Sequence, residues 1–223
     1  MYLQLGRSRV FACAVEWPGW CRRAKTDEEA LDALADYAPR YAPVVARAGL
    51  AFPGSASQSF EVVERLPAPR APTFSGVDFG TIDEPCELDN RALTAGEANR
   101  LASIVEASWA TLDDVLARAP SELRKGPRGG GRDRDKIAGH VLGAEVAYAR
   151  KLGVRHKQPA IDDGKAIDAL RADLAVAIRG SRAAEAPSTT GWLPRYAARR
   201  IAWHVLDHAW EVEDRSEPTP GGG

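Results

Sequence analysis

The chain has 223 residues, 44% hydrophobic and 27% charged, enough apolar material for one large domain or two small ones and too much for a disordered protein. Lys and Arg number 30 against 31 Asp and Glu, a formal charge of −1 that lacks the basic surplus of a dedicated nucleic-acid binder. The longest apolar stretch, about Tyr41 to Phe52, is interrupted by Pro43, Arg47 and Gly49 and is too short to cross a bilayer, so no membrane partner is expected. Cys13, Cys21 and Cys86 are widely spaced and form no CxxC, which reads as a reduced, cytoplasmic chain. Met1 to Val15 carries Arg7 and Arg9 but no small-residue cleavage site, so no signal peptide is expected.

In chain order, Val10 to Val15 predicts a strand, Trp17-Pro18-Gly19 a turn, and Trp20 to Ala24 a second strand. Thr26-Asp-Glu-Glu29 is a capping-box signature, followed by Ala30, Leu31, Leu34 and Ala35 at helical spacing. Pro39 and Pro43 break or kink that helix, and Phe60 to Leu66 predicts a further strand. Residues 1–67 thus read as a small β-β-α-β unit. Residues 68–91 read as a linker rich in Pro, Gly, Ser and Asp, although Phe74, Val77, Phe79 and Ile82 are apolar enough to dock.

Four helical patterns follow. A second capping box, Thr94-Ala-Gly-Glu97, opens a helix to about Arg118, with Leu101, Ile104, Val105, Trp109, Leu112 and Leu116 as its stripe. The others span about Asp133 to Leu152, Asp163 to Ala184, and Pro194 to Arg215. The expected fold class is therefore α+β, a β-β-α-β unit followed by a four-helix bundle over 92–216, with 217–223 a disordered tail.

Only four histidines occur, and three fall on core-facing stripes. His204 and His208, at i and i+4, share one helical face beside Ile201 and Val205. His140 lies among Ile137, Val141, Ala144 and Tyr148 on the second long helix. Two imidazoles one turn apart plus a third from a neighbouring helix suit Zn²⁺ or a similar divalent ion, with a fourth position left for water or substrate. The same residues also fit hydrogen-bonded core packing, and spacing alone leaves both readings open.

The C-terminal half resembles the DinB-like (YfiT-like) metal-binding bundle superfamily, whose members carry one His on the second helix and an HxxxH on the fourth. His140 and His204-Val-Leu-Asp-His208 match that pattern, within the stretch Arg200-Ile-Ala-Trp-His-Val-Leu-Asp-His-Ala-Trp-Glu-Val-Glu-Asp214. The resemblance implies a divalent metal, Zn or Ni, on His140, His204 and His208. It also implies activation of a low-molecular-weight thiol, such as mycothiol or bacillithiol, for S-transfer or isomerisation of a small electrophile. The first segment is similar to HicB-like domains through Glu16-Trp-Pro-Gly-Trp-Cys21 and Thr26-Asp-Glu-Glu-Ala30. No DNA-binding segment accompanies it, so a repressor role does not follow. The alternative function is a non-enzymatic protein-binding module with a structural or vestigial metal, and a homodimer is among the assemblies allowed.

Two further residues are candidates for catalysis. Glu211, three residues after His208, reads as a fourth ligand, an acid/base, an acceptor fixing an imidazole, or a solvated residue. Arg200, in a basic cluster with Arg195 and Arg199, suits a carboxylate on substrate or thiol, unless it is merely solvated. Asp207 is expected to face outward, and His156 to be an exposed loop residue. Trp192, Trp203 and Trp210 read as core or interface anchors rather than a binding cage. Gly126-Pro-Arg-Gly-Gly-Gly131 superficially resembles a phosphate loop but lacks the GK[ST] ending and a preceding strand.

Overall fold

The computed structural model describes residues 1–54, 59–70, 75–82, 84–125, 131–180 and 191–216. Phe74, most of the glycine loop (126–130), residues 181–190 and the 217–223 tail lie outside the described residues. The class is α+β, a small four-stranded sheet near the N-terminus followed by helices.

Strand β1 (Tyr2–Leu5) pairs antiparallel with β2 (Val10–Cys13), which pairs antiparallel with β3 (Cys21–Ala24). Helices α1 (Asp27–Asp36) and α2 (Ala38–Arg47) then lead to β4 (Glu64–Leu66), which lies parallel to β1 and gives the order β3-β2-β1-β4. The expected β-β-α-β unit is thus β-β-β-α-α-β. Tyr2-Leu3-Gln4-Leu5 does not alternate polar and apolar because both faces are covered: Tyr2 and Leu3 enter different clusters and Gln4 is buried. The second helix arises at Pro39, which sits in the first turn of α2, where a missing N–H leaves no intrahelical bond unmade. Pro43 is accommodated inside α2.

The period-2 pattern of β2 sends Val10 and Ala12 to one face and Phe11 and Cys13 to the other. On the first face they meet Trp20, Leu34, Tyr41 and Val44. On the second, Phe11 and Cys13 meet Val77, Ile82 and Cys86, so the supposed linker covers the sheet. That segment holds one turn of helix, α3 (Gly76–Phe79), and a 3-10 turn at Glu87–Asn90. Phe79, expected to be apolar enough to dock, is 77% exposed.

The long helices α4 (Ala95–Arg118), α5 (Arg134–Lys151), α6 (Gly164–Gly180) and α7 (Pro194–Ser216) follow close to their predicted bounds. Thr94 closes the capping box, its hydroxyl accepting from the Glu97 amide at 3.2 Å while Glu97 accepts from the Thr94 amide at 2.8 Å. At α1 the box is shifted: Thr26 caps Glu29, but the Glu29 carboxylate reaches the Lys25 amide. Leu101, Val105, Ile137, Val141, Leu170, Leu174, Ile201 and Val205 form one apolar core between the four helices. No described helix is long and apolar enough to cross a membrane.

Helix α7 joins everything. Ile201 and Val205 enter the helical core, Leu206 and Trp210 the first sheet-side cluster, and Trp203 the second. The Trp17-Pro18-Gly19 turn seats directly on α7. Gly19 has φ +93°, and a Cβ there would stand 2.6 Å from Leu206 Cδ1. The N-terminal unit is thereby fixed against the helix that carries His204 and His208.

Candidate metal centre

Helix α7 places His204 and His208 one turn apart on one face, as i, i+4 geometry demands. Helix α5 brings His140 against them, with ring centroids 5.1 Å from His204 and 4.9 Å from His208; His204 and His208 are 4.7 Å apart. One ligand nitrogen from each of the three lies within 4.8 Å of the others, close enough to bind a common metal ion. His140 Nε2 and His204 Nε2 are 3.2 Å apart. Two nitrogens on a tetrahedral zinc at about 2.0–2.1 Å would stand about 3.3 Å apart, so this pair fits the group.

Electrostatics favour the neutral, ligating form. Burial, then the neighbouring His208, Arg200, His140 and Arg132, push the His204 imidazole down to about 2. Burial, with His208 and Arg132, also lowers His140. His208 Nδ1 lies 2.8 Å from a Glu211 oxygen, which fixes the ring and leaves Nε2 for a further partner. Glu211 also accepts from Arg215 at 2.7 Å, and these two hydrogen bonds hold its carboxyl below the usual range. Of the readings open for Glu211, this contact fits an acceptor that fixes an imidazole. His204 Nδ1 is buried without a hydrogen-bond partner.

The three histidines line a cavity of about 300 Å³, together with Ala144, Tyr148, Arg200, Trp203, Asp207, Gly80 and Thr81. The candidates Arg200 and His140, His204 and His208 are thus brought together, with Glu211 behind His208. Asp207 does not simply face outward: it stands on the cavity wall and accepts from Arg22 of β3 at 3.1 Å. Helical spacing was the available signal, since Arg200, Trp203, His204, Asp207 and His208 fall on one face. Nothing in the sequence placed Gly80 and Thr81 here.

Three other expectations change. Arg199 is not a solvated member of a basic cluster; it is buried and ion-paired to Asp89 of the 3-10 turn, with Tyr2 beneath it. Arg195 bonds Glu97 at 2.6 Å. His156 is tethered by its ring to Asp173 of α6 at 2.8 Å rather than standing free in its loop. The tryptophans are buried or stacked as expected, but Trp203 also forms part of the cavity wall. All three cysteines are free and buried, none in the cavity lining.

Comparisons of the chain with protein-family models, with curated proteins and with solved structures found no match.

Proposed function

We propose that this chain is a metal-dependent protein of the DinB-like type, a four-helix bundle that activates a low-molecular-weight thiol for S-transfer or isomerisation. The observation that carries the proposal is the convergence of His140, His204 and His208 on one wall of a cavity about 300 Å³ in volume. The three imidazoles would hold a divalent ion, Zn²⁺ or Ni²⁺, whose chemistry is to lower a thiol donor from about 8.5 toward or below neutral pH.

The chain's own residues prepare the pocket. Burial keeps His204 neutral and therefore able to ligate. Glu211 orients His208, and Arg215 in turn orients Glu211. Tyr148 and Trp203 give the cavity aromatic walls that would limit water around a bound thiolate.

The test is thiol conjugation to a model electrophile by the full chain, with and without one equivalent of Zn²⁺ or Ni²⁺, using mycothiol, bacillithiol, glutathione and cysteine. Metal-dependent turnover that disappears in His204→Ala is the expected result. Stoichiometric metal with no turnover for any of these thiols overturns the enzyme reading and favours a binding module with a structural ion.

A further inference from the structure

Helix α7 carries four arginines, and three of them have a carboxylate partner. Arg195 pairs with Glu97, Arg199 with Asp89 and Arg215 with Glu211. Arg200 has no ion pair among the described residues. Its guanidinium instead lies 4.7 Å from the Trp203 ring centroid and 5.4 Å from that of Tyr148, and its Nη1 is buried with no hydrogen-bond partner. Trp203 is only 3% exposed, and its indole Nε1 likewise has no acceptor. Both residues line the cavity that holds the three histidines.

A buried donor left without an acceptor is costly, and a guanidinium more so. The carboxylate on the same wall does not relieve it, because Asp207 is engaged by Arg22, itself held between the Tyr37 and Trp210 rings at 3.5 and 4.2 Å. The cavity therefore presents a cation and an N–H donor whose natural complement is an acceptor-only, negatively charged group. A volume of about 300 Å³ sits at the lower end of ligand pockets, which selects a small molecule.

We propose that this cavity contains a carboxylate subsite, with Arg200 as its charged donor, Trp203 as its second donor and Tyr148 as the ring beside the guanidinium. This deepens the proposed function by naming the substrate class: a small organic acid, or a thiol bearing a carboxylate, spanning the distance from Arg200 to the histidines. The planar fork of the guanidinium matches the two oxygens of a carboxylate, which a lysine ammonium does not reproduce.

Two calorimetric and spectroscopic arms test it. In the first, Zn²⁺-loaded full-length chain is titrated with 3-mercaptopropionate and with its neutral isostere 3-mercaptopropionamide. The acid should bind about tenfold tighter or better, as a desolvated charge-assisted hydrogen bond implies. Arg200→Gln should abolish that preference without changing zinc content, Arg200→Lys should retain part of it, and Trp203→Phe should reduce it. In the second arm, the metal-free chain is offered benzoate or benzamide in saturation-transfer NMR, with inorganic phosphate added as a competitor. Benzoate alone should give a signal, absent in Arg200→Gln.

Equal affinity for acid and amide, a preference that survives in Arg200→Gln, or phosphate displacing benzoate as the better ligand overturns the subsite. Failure of the wild type to take up zinc overturns the metal reading instead, and the benzoate arm still decides the subsite.

Discussion

Arg199 and Arg200 are adjacent in sequence, yet the fold gives them opposite environments. Arg199 points to the sheet side of α7, is 1% exposed, and is closed off by Asp89 and the Tyr2 ring. Arg200 points to the other side, into a cavity shared with three histidines, and has no carboxylate partner among the described residues. A buried charge in a closed pair holds segments of the chain together. A half-buried charge at an open cavity is available to a ligand. The difference separates what secures α7 from what α7 can do.

Breaking the closed pair should have the largest effect. Asp89→Asn leaves the Arg199 guanidinium buried and uncompensated, which costs about 3–5 kcal/mol. In a chain of this size that lowers Tm by roughly 6–20 °C, measurable by thermal or urea unfolding. The double variant Arg199→Met/Asp89→Leu should recover most of the loss, because a well-packed apolar pair removes both charges together. A cost below about 1 kcal/mol for Asp89→Asn would show that the pair is not structural.

The open cluster should respond to metal rather than to its own deletion. Zn²⁺ at about one hundred times its Kd should stabilise the wild type by about 2.7 kcal/mol, with one equivalent bound by elemental analysis. His204→Ala should lose both the metal and the added stability, since two imidazoles hold an ion poorly against water. His156→Ala should keep both, because its ring is engaged by Asp173 away from the cluster. Retention of stoichiometric metal by His204→Ala would sink the three-histidine assignment. Glu211→Gln is the finer probe. It weakens the acceptor that orients His208, and zinc affinity should drop about 10–100-fold while stoichiometry is preserved.

How far these two environments could be read from the sequence depends on what local pattern encodes. The long helices follow from 3.6-residue periodicity and from the Thr94 capping box, all local signals. The three histidines were legible because each sits on a helical face whose apolar neighbours point inward. Asp207 was expected to face outward despite its i+3 and i+7 spacing from His204 and Arg200, because a lone acidic residue reads as solvated until a partner such as Arg22 is known. Strand β1 was hidden because burial on both faces erases alternation. The Arg199–Asp89 pair spans 110 residues and Arg22–Asp207 spans 185, and no periodicity reports contacts at such separations. Likewise, the docking of Gly80 and Thr81 at the cavity is a property of tertiary packing.

The mildest test uses the third kind of arginine on α7. Arg195 is paired, like Arg199, but its partner Glu97 has a side chain 41% exposed. Glu97 is held down to about 2 by the Arg195 hydrogen bond first, then by the Thr94 amide and hydroxyl. A carboxyl whose folded value lies below its ordinary value of about 4.3 contributes stability that is present above that pH. That stability is lost as pH falls from about 4.3 toward about 2, because the unfolded chain then binds a proton the native chain resists. Solvent screening and the exposure of the pair reduce the contribution well below what the shift alone suggests. Cap and ion pair together should amount to about 1 kcal/mol, so Glu97→Ala should lower stability by that amount at pH 7. The variant and the wild type should converge as pH approaches 2, and 0.5 M salt at pH 7 should close part of the gap, since exposed pairs are screened. Replacing Asp89 should be several-fold more damaging than replacing Glu97 at every pH above 5. Equal costs for the two would mean that burial does not distinguish the paired arginines of α7.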